Sequence, residues 1–181
     1  MVVAHRYSSA MEPTRIYDYL LKSRGLLFNA VRTLAAEQYL RPFPFGLKTI
    51  GATLTHVMIS EWYYVERMAG RPVPPYEEWT IKEETPPPFD RLEAIWREQG
   101  LRVRGGVAAE RDWARRITWL SFPDDRGRRF HITASAGDFF TQLVLHEVHH
   151  RSQVMVMLRE LGHPLEDVDF NAMMFERIPA G

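Results

Sequence analysis

The sequence contains no cysteine among its 181 residues, and this absence restricts the chemistry of the chain. The protein can form no disulfide bond, and it offers no thiolate as a nucleophile or metal ligand. Any metal ion must therefore be bound through histidine, aspartate or glutamate. Because a chain without cysteine suits a reducing compartment, we expect a cytoplasmic protein.

The sequence also lacks an excess of charge of one sign and any long apolar run. Lys and Arg together number 23, as do Asp and Glu. Proteins that bind nucleic acids or anionic membranes usually carry a basic excess, so we expect neither partner. No segment approaches the roughly 20 apolar residues that cross a bilayer. Hydrophobic residues at 45% suffice for the core of one domain. The partner we expect is a small-molecule substrate.

Apolar residues recur at helical spacing in four segments. The first begins at Pro13 and ends before the proline-containing turn at 41–46. The second follows the N-cap Thr49 and ends at Gly70, which is followed by Pro72. Each of these segments is long enough to serve as one helix of a bundle.

The third helix begins at a capping box made by Asp90 and Glu93 and runs toward Asp112. The fourth, at 139–162, is the longest, and Ser135 with Asp138 caps it.

Six prolines between the second and third helices make residues 71–88 a stiff crossover, and β-rich segments around residues 123–127 predict a hairpin before the last helix. We therefore expect an all-α, up-down four-helix bundle with a long proline-rich crossover and a small β-hairpin. Residues 1–12 are interpreted as a tail and 13–181 as a single domain.

The last helix places two histidines on its predicted core-facing stripe. His146 and His150 are one turn apart, so their rings can reach a single metal ion. In the second helix, His56 lies among small and apolar residues and is predicted to point inward. If the two helices face each other, three imidazoles share one site and leave a coordination position free for water or substrate.

Two segments carry a resemblance to a known family: LTHVMISEWYYVERMAG, with one histidine early in the second helix, and HEVHHRSQVMVMLRELG, with H-x3-H followed by R-x-Q. This one-plus-two histidine pattern, with the order of the helices, resembles the DinB/YfiT-like superfamily. The family motif often reads H-R-G-Q, and Ser152 stands at the glycine position here.

The resemblance implies a metal-dependent helical bundle, often a homodimer, whose divalent ion is bound by His56, His146 and His150. An all-imidazole site suits zinc or nickel, and also iron, manganese or copper. Characterised members include transferases and isomerases that use small thiols such as bacillithiol or mycothiol. We therefore expect a thiol-dependent S-transferase in which a metal-activated thiolate attacks a small electrophile.

Three alternatives stay open at this point. A metal-dependent hydrolase would use metal-bound water, with Glu147 or His149 as the base, and residues 146–150 also satisfy the H-E-x-x-H pattern of zinc peptidases. A non-enzymatic, stress-related metal-binding module needs no substrate. Finally, the histidines would only pack in the core if no metal binds.

Other residues near the histidine pattern have less specific signals. Gln153 is expected to orient a ligand or bound water, since imidazole ligands usually have further hydrogen-bond partners. Tyr63 is a candidate hydrogen-bond donor to a substrate, although an aromatic residue in a helix more often belongs to the core. The spacing of Glu147 and Arg151 predicts a surface ion pair.

Overall fold

The computed structural model describes residues 12–166 and 168–178, which are mostly helical. Apart from Glu12, the predicted tail at 1–12 lies outside the described residues. Within the described ranges, the helices are α1 (Pro13–Val31), α2 (Ala36–Tyr39), α3 (Ile50–Met68), α4 (Phe89–Ala109), α5 (Ala136–Glu160) and α6 (Phe170–Met174). None of these helices is long and apolar enough to span a bilayer.

The first predicted helix is divided into two by the structure. The Thr33 hydroxyl donates to the carbonyl of Ala30 at 2.8 Å, beyond the end of α1. The side chain of Gln38 accepts the backbone N–H of Ala35 at 2.9 Å and so supports the start of α2. The prediction of one helix up to the turn at 41–46 was therefore wrong, because these side chains satisfy the backbone between two helices.

The bounds predicted for α3 are confirmed by its caps. The Thr49 hydroxyl accepts the N–H of Ala52 at 2.9 Å, as an N-cap does. Past the other end, Gly70 has φ +71°, and the N–H of Arg71 donates to the carbonyl of Glu66. This is the Schellman pattern, in which a residue without Cβ adopts the left-handed conformation at low cost.

The start predicted for α4 was wrong. Phe89 is its first residue and Pro88 its N-cap, with no side-chain capping bond. Asp90 instead lies in the first turn, where its negative charge suits the positive end of the helix dipole. Glu93 accepts from Arg32 and Arg97 and so joins α4 to α1.

The predicted hairpin is present and leads directly into α5. Strand β1 (Arg116–Leu120) pairs antiparallel with β2 (His131–Ser135) in the register Arg116↔Ser135. Ser135 and Asp138 then exchange the two hydrogen bonds of a capping box, as the sequence predicted.

Packing between the long helices determines where functional side chains meet. Helix α3 packs against α5, while α1 packs against α4 and α5. The shared core includes Phe28, Leu54, Trp96, Val154 and Leu158, each at most 2% exposed. Burying side chains of this size contributes about 1.5–3 kcal/mol each before entropy is considered. As a result, α3 and α5 lie side by side and present their histidines to each other.

Candidate metal centre

The structure brings His56 of α3 together with His146 and His150 of α5. The Nε2 atoms of His56 and His146 are 3.0 Å apart, and one ligand atom from each of the three rings lies within 4.8 Å of the others. All three residues are half-buried, at the edge of the core. The predicted grouping of one histidine from α3 with a pair from α5 is therefore present in the fold.

Glu83 orients the His56 ring from outside the cluster. Its Oε2 lies 2.7 Å from His56 Nδ1. A carboxylate at this position fixes the proton on Nδ1 and leaves the lone pair of Nε2 directed at the other two rings. Glu83 belongs to the 71–88 connection, for which the sequence pattern predicts only a crossover.

Gln153 supports His150 in the same way. Its Oε1 lies 2.9 Å from Nδ1 of His150, and its Nε2 lies 3.1 Å from Nε2 of His149. The amide oxygen therefore accepts a hydrogen bond from Nδ1–H of His150, and the amide nitrogen donates one to His149. This leaves Nε2 of His150 available for a metal ion. Gly46 packs against this amide, because a Cβ at position 46 would lie 2.9 Å from the Gln153 Oε1.

The electrostatics of the cluster favour the neutral forms of His146 and His150. Burial, followed by the three neighbouring imidazoles, lowers the pKa of His146 from 6.5 to about 3. Burial also lowers the pKa of His150, although the hydrogen bond with Gln153 opposes this shift. Neutral imidazoles are the form that binds a metal, because a protonated nitrogen has no lone pair to donate.

These residues fit a divalent ion. Metal–imidazole bonds are about 2.0–2.1 Å long, so one ion can bridge two nitrogens that are 3.0 Å apart. The polar atoms of Glu83 and Gln153 lie on the outer nitrogens of two rings, where ligand-orienting groups are found. Ser152, at the family's glycine position, is exposed and donates to the carbonyl of His149, so it lies outside the cluster.

A cavity of about 960 Å³ lies beside His56, between α3, the 71–88 connection and the hairpin. Aromatic side chains form much of its wall, and these are Tyr63, Tyr76, Trp79 and Phe122. Tyr63 thus lies at the His56 face, as the sequence suggested. The cavity is large enough for a small organic molecule next to the histidine cluster.

Glu147 and Arg151 do not form the predicted surface pair. Both are buried, with exposures of 4% and 6%. Arg24 of α1 donates to the two carboxylate oxygens of Glu147 at 3.2 and 2.6 Å, whereas Arg151 donates to the hydroxyls of Ser23 and Tyr19. The prediction of a surface pair was wrong because both residues lie on the buried face of α5, which packs against the core and not against solvent.

A second carboxylate, Glu61 of α3, completes this buried group. It accepts from Arg24, Tyr17, Trp96 and Gln99. Burial raises the pKa of Glu147, and Arg24 opposes that shift. The charges of Arg24 and Arg151 therefore balance those of Glu61 and Glu147 within the core. The carboxylate of Glu147 binds Arg24 there and does not lie at the metal centre.

The fold and the site define a class: a mostly helical protein with a candidate three-histidine metal centre at the edge of its core. The sequence model of the DinB family matches residues 7–179, so the chain belongs to the DinB family.

A DinB-like protein from Bacillus cereus, known from a crystal structure, shares the fold at a TM-score of 0.57 and 16% sequence identity. That match covers 84% of this chain and 94% of the Bacillus cereus chain. No curated protein matches the chain.

Proposed function

We propose that this protein is a divalent-metal-dependent enzyme that binds one ion through His56, His146 and His150. The observation that carries the proposal is the convergence of three imidazole nitrogens within 4.8 Å. The outer nitrogens of two of these rings already have acceptors, Glu83 and Gln153. Zinc or nickel is the proposed ion, and iron, manganese or copper also suits imidazole ligands.

The reaction we propose is the transfer of a small thiol to a small electrophile. A bound divalent ion supplies positive charge, which lowers the pKa of a thiol or of water. The sulfur forms a bond to the electrophilic carbon, the leaving group departs with the bonding electron pair, and the proton of the thiol passes to solvent. The cavity beside His56 provides room for the electrophile.

The position of Glu147 favours a thiol over water as the nucleophile. A hydrolase of the H-E-x-x-H type needs this glutamate as a base, yet Arg24 holds its carboxylate in the core. The carboxylate of Glu83 is hydrogen-bonded to His56. A thiol, with an ordinary pKa near 8.5, needs less assistance than water to lose its proton.

Elemental analysis of protein purified without a histidine tag tests the site. We expect about one divalent ion per chain in the wild type and loss of that ion in His56→Ala and His150→Ala. The control is His131→Ala, since His131 is an exposed residue of β2. Metal retained in His56→Ala would contradict the three-ligand centre.

Thiol dependence tests the reaction. The metal-loaded protein, assayed with electrophiles, should become active only when a low-molecular-weight thiol is added. Activity that is indifferent to thiols would instead indicate a hydrolase.

The proposal also covers the assembly and location of the protein. We propose a cytoplasmic homodimer in which α1, α3, α4 and α5 form an up-down bundle. The family resemblance and the apolar richness of the helices support it. Sedimentation analysis that finds only monomers at micromolar concentration would remove the dimer from the proposal.

A further inference from the structure

The cavity beside His56 contains two guanidinium groups in addition to its aromatic wall. Arg67 belongs to α3, and Arg129 belongs to the segment before β2. Arg67 lies about three turns of helix beyond His56. Since a helix rises about 5.4 Å per turn, the two side chains can contact opposite ends of a molecule roughly 10–16 Å long.

In the part of the chain that the structure describes, one hydrogen-bond donor of Arg67 has no acceptor. Its Nε is buried and has no hydrogen-bond partner within the described residues. Its guanidinium carbon lies 5.2 Å from the centre of the Tyr63 ring, a cation–π contact that leaves the N–H groups free. A buried donor without an acceptor is costly, so an acceptor from a ligand would relieve the cost.

Two neighbouring arginines on these segments have acid partners. Arg71 pairs with Glu66, and Arg128 pairs with Asp124. In contrast, no ion pair in the described part of the chain includes Arg67 or Arg129, and Nε of Arg129 donates only to the backbone carbonyl of Ser121 at 3.1 Å.

The acids of the cavity wall do not neutralise these two arginines. Glu83 is held by His56. Glu77 is exposed in the 3-10 turn Tyr76–Glu78 and is in no ion pair within the described ranges. Within the described ranges, neither guanidinium has an acid partner, so both have remaining capacity to bind an anion.

We propose that this cavity recognises a small organic acid. Its carboxylate binds the guanidinium fork of Arg67, with Arg129 as a second cation, and its apolar body lies along Tyr63, Trp79 and Phe122. A planar guanidinium matches a carboxylate through two parallel hydrogen bonds, which explains the choice of arginine. This inference rests on the proposed function, because it places the opposite end of the acid at the histidine cluster.

Binding of a matched acid and amide tests the recognition of charge. Phenylbutyrate and phenylbutyramide differ at the carboxyl end, and calorimetry on zinc-loaded protein compares them. We expect the acid to bind about tenfold more tightly, the preference to disappear in Arg67→Gln, and a smaller loss in Arg129→Gln. Arg71→Gln and Arg126→Gln are the controls, since Arg71 pairs with Glu66 and Arg126 is an exposed residue of the same hairpin loop.

The carboxylate can belong either to the thiol or to its acceptor, and a second pair of probes separates these sources. Mercaptohexanoate and mercaptohexanamide carry a terminal thiol, whose binding to cobalt-loaded protein is followed by the sulfur-to-cobalt charge-transfer band. Tighter binding of the mercapto acid that depends on Arg67 assigns the carboxylate to the thiol. Equal binding of the two thiols, together with an Arg67-dependent preference for phenylbutyrate, assigns it to the acceptor.

The inference is overturned if neither acid binds more tightly than its amide, or if Arg67→Gln keeps the preference. Metal content is measured on every variant, so that a failure of the metal centre is distinguished from a failure of acid recognition. Arg67→Gln should keep its ion, because the residue is not a ligand. If the wild type binds no ion, the proposed function fails, and the calorimetric comparison on metal-free protein still tests the acid site.

Discussion

The Nδ1 atom of His56 lies 2.7 Å from Oε2 of Glu83, so a residue of the proline-rich connection orients a ring on α3. This contact ties the connection to the histidine cluster.

Replacing this carboxylate should weaken metal binding without removing a ligand. In Glu83→Gln, the uncharged amide polarises the His56 ring less, and we expect metal affinity to fall about tenfold. Competition with a chelator of known affinity measures the change. Glu84→Gln is the matched control, because Glu84 accepts from Tyr76 instead of from a histidine. Equal affinities in the wild type and Glu83→Gln would show that the contact does not act on the ion.

Gly46 should affect the metal centre through Gln153. It has φ +54°, and an added Cβ would lie 2.9 Å from Gln153 Oε1. Gly46→Ala should therefore lose about 1 kcal/mol of stability from backbone strain and should also weaken metal binding, because the amide is displaced from His150. Gly127→Ala separates the two effects, since Gly127 has φ +72° with open space around it. Both variants should lose stability in denaturant unfolding, and only Gly46→Ala should lose metal affinity.

The buried carboxylate of Glu147 should matter for folding and not for metal content. Glu147→Gln leaves Arg24 with a weakened partner in the core, and we expect a loss of about 2–3 kcal/mol in the free energy of unfolding. The variant should still bind about one ion per chain. Glu160→Gln, on the exposed surface of the same helix, should change neither quantity. An unchanged stability together with a loss of activity would support the peptidase-like role for Glu147.

The metal-free protein should lose stability as the pH falls through the ordinary pKa of histidine. The pKa of His146 is about 3 in the folded state and 6.5 in the reference state. Below pH 6.5 the unfolded state therefore binds a proton that the folded state does not, and stability is lost as pH falls. Allowing for partial exposure of the ring, the loss between pH 6.5 and 5 is about 1 kcal/mol.

Chemical unfolding at several pH values checks this expectation against His146→Gln, in which the slope between pH 6.5 and 5 should decrease. Carboxylates with lowered pKa values, such as Glu93 and Glu110, stabilise the folded state while they are charged. Their contribution is lost only at lower pH, as the pH falls below their usual value of 4.5. An identical slope in the variant would exclude His146 as its source.

Local signals in the sequence were sufficient for much of the fold and for the three histidines. The Thr49 cap, the Ser135 capping box and the hairpin depend on neighbours in sequence, and all are present. The H-x3-H spacing likewise has a direct meaning on a helix. Glu83 could not be found in this way, because the path of an extended connection depends on how it packs against α3.

The burial of Glu147 and Arg151 is indicated by their positions along α5. The buried stripe of α5 runs through Phe140, Leu143, Glu147, Arg151 and Val154, at regular helical spacing. A charged residue in phase with apolar neighbours indicates a buried ion pair. The separation of four residues alone predicts only that two side chains lie on the same side of the helix. Arg24 in α1 and Glu61 in α3 also lie in phase with buried apolar neighbours.

The three proposed ligands come from segments that are far apart in sequence. His56 and His146 are separated by 90 residues, and Glu83 follows His56 by 27 residues. Closing loops of this length costs conformational entropy before their ends can form contacts. The complete set of donors therefore forms only when α3, α5 and the connection have docked. If the cluster binds a divalent ion, we therefore expect the ion to slow unfolding and to leave the rate of folding nearly unchanged.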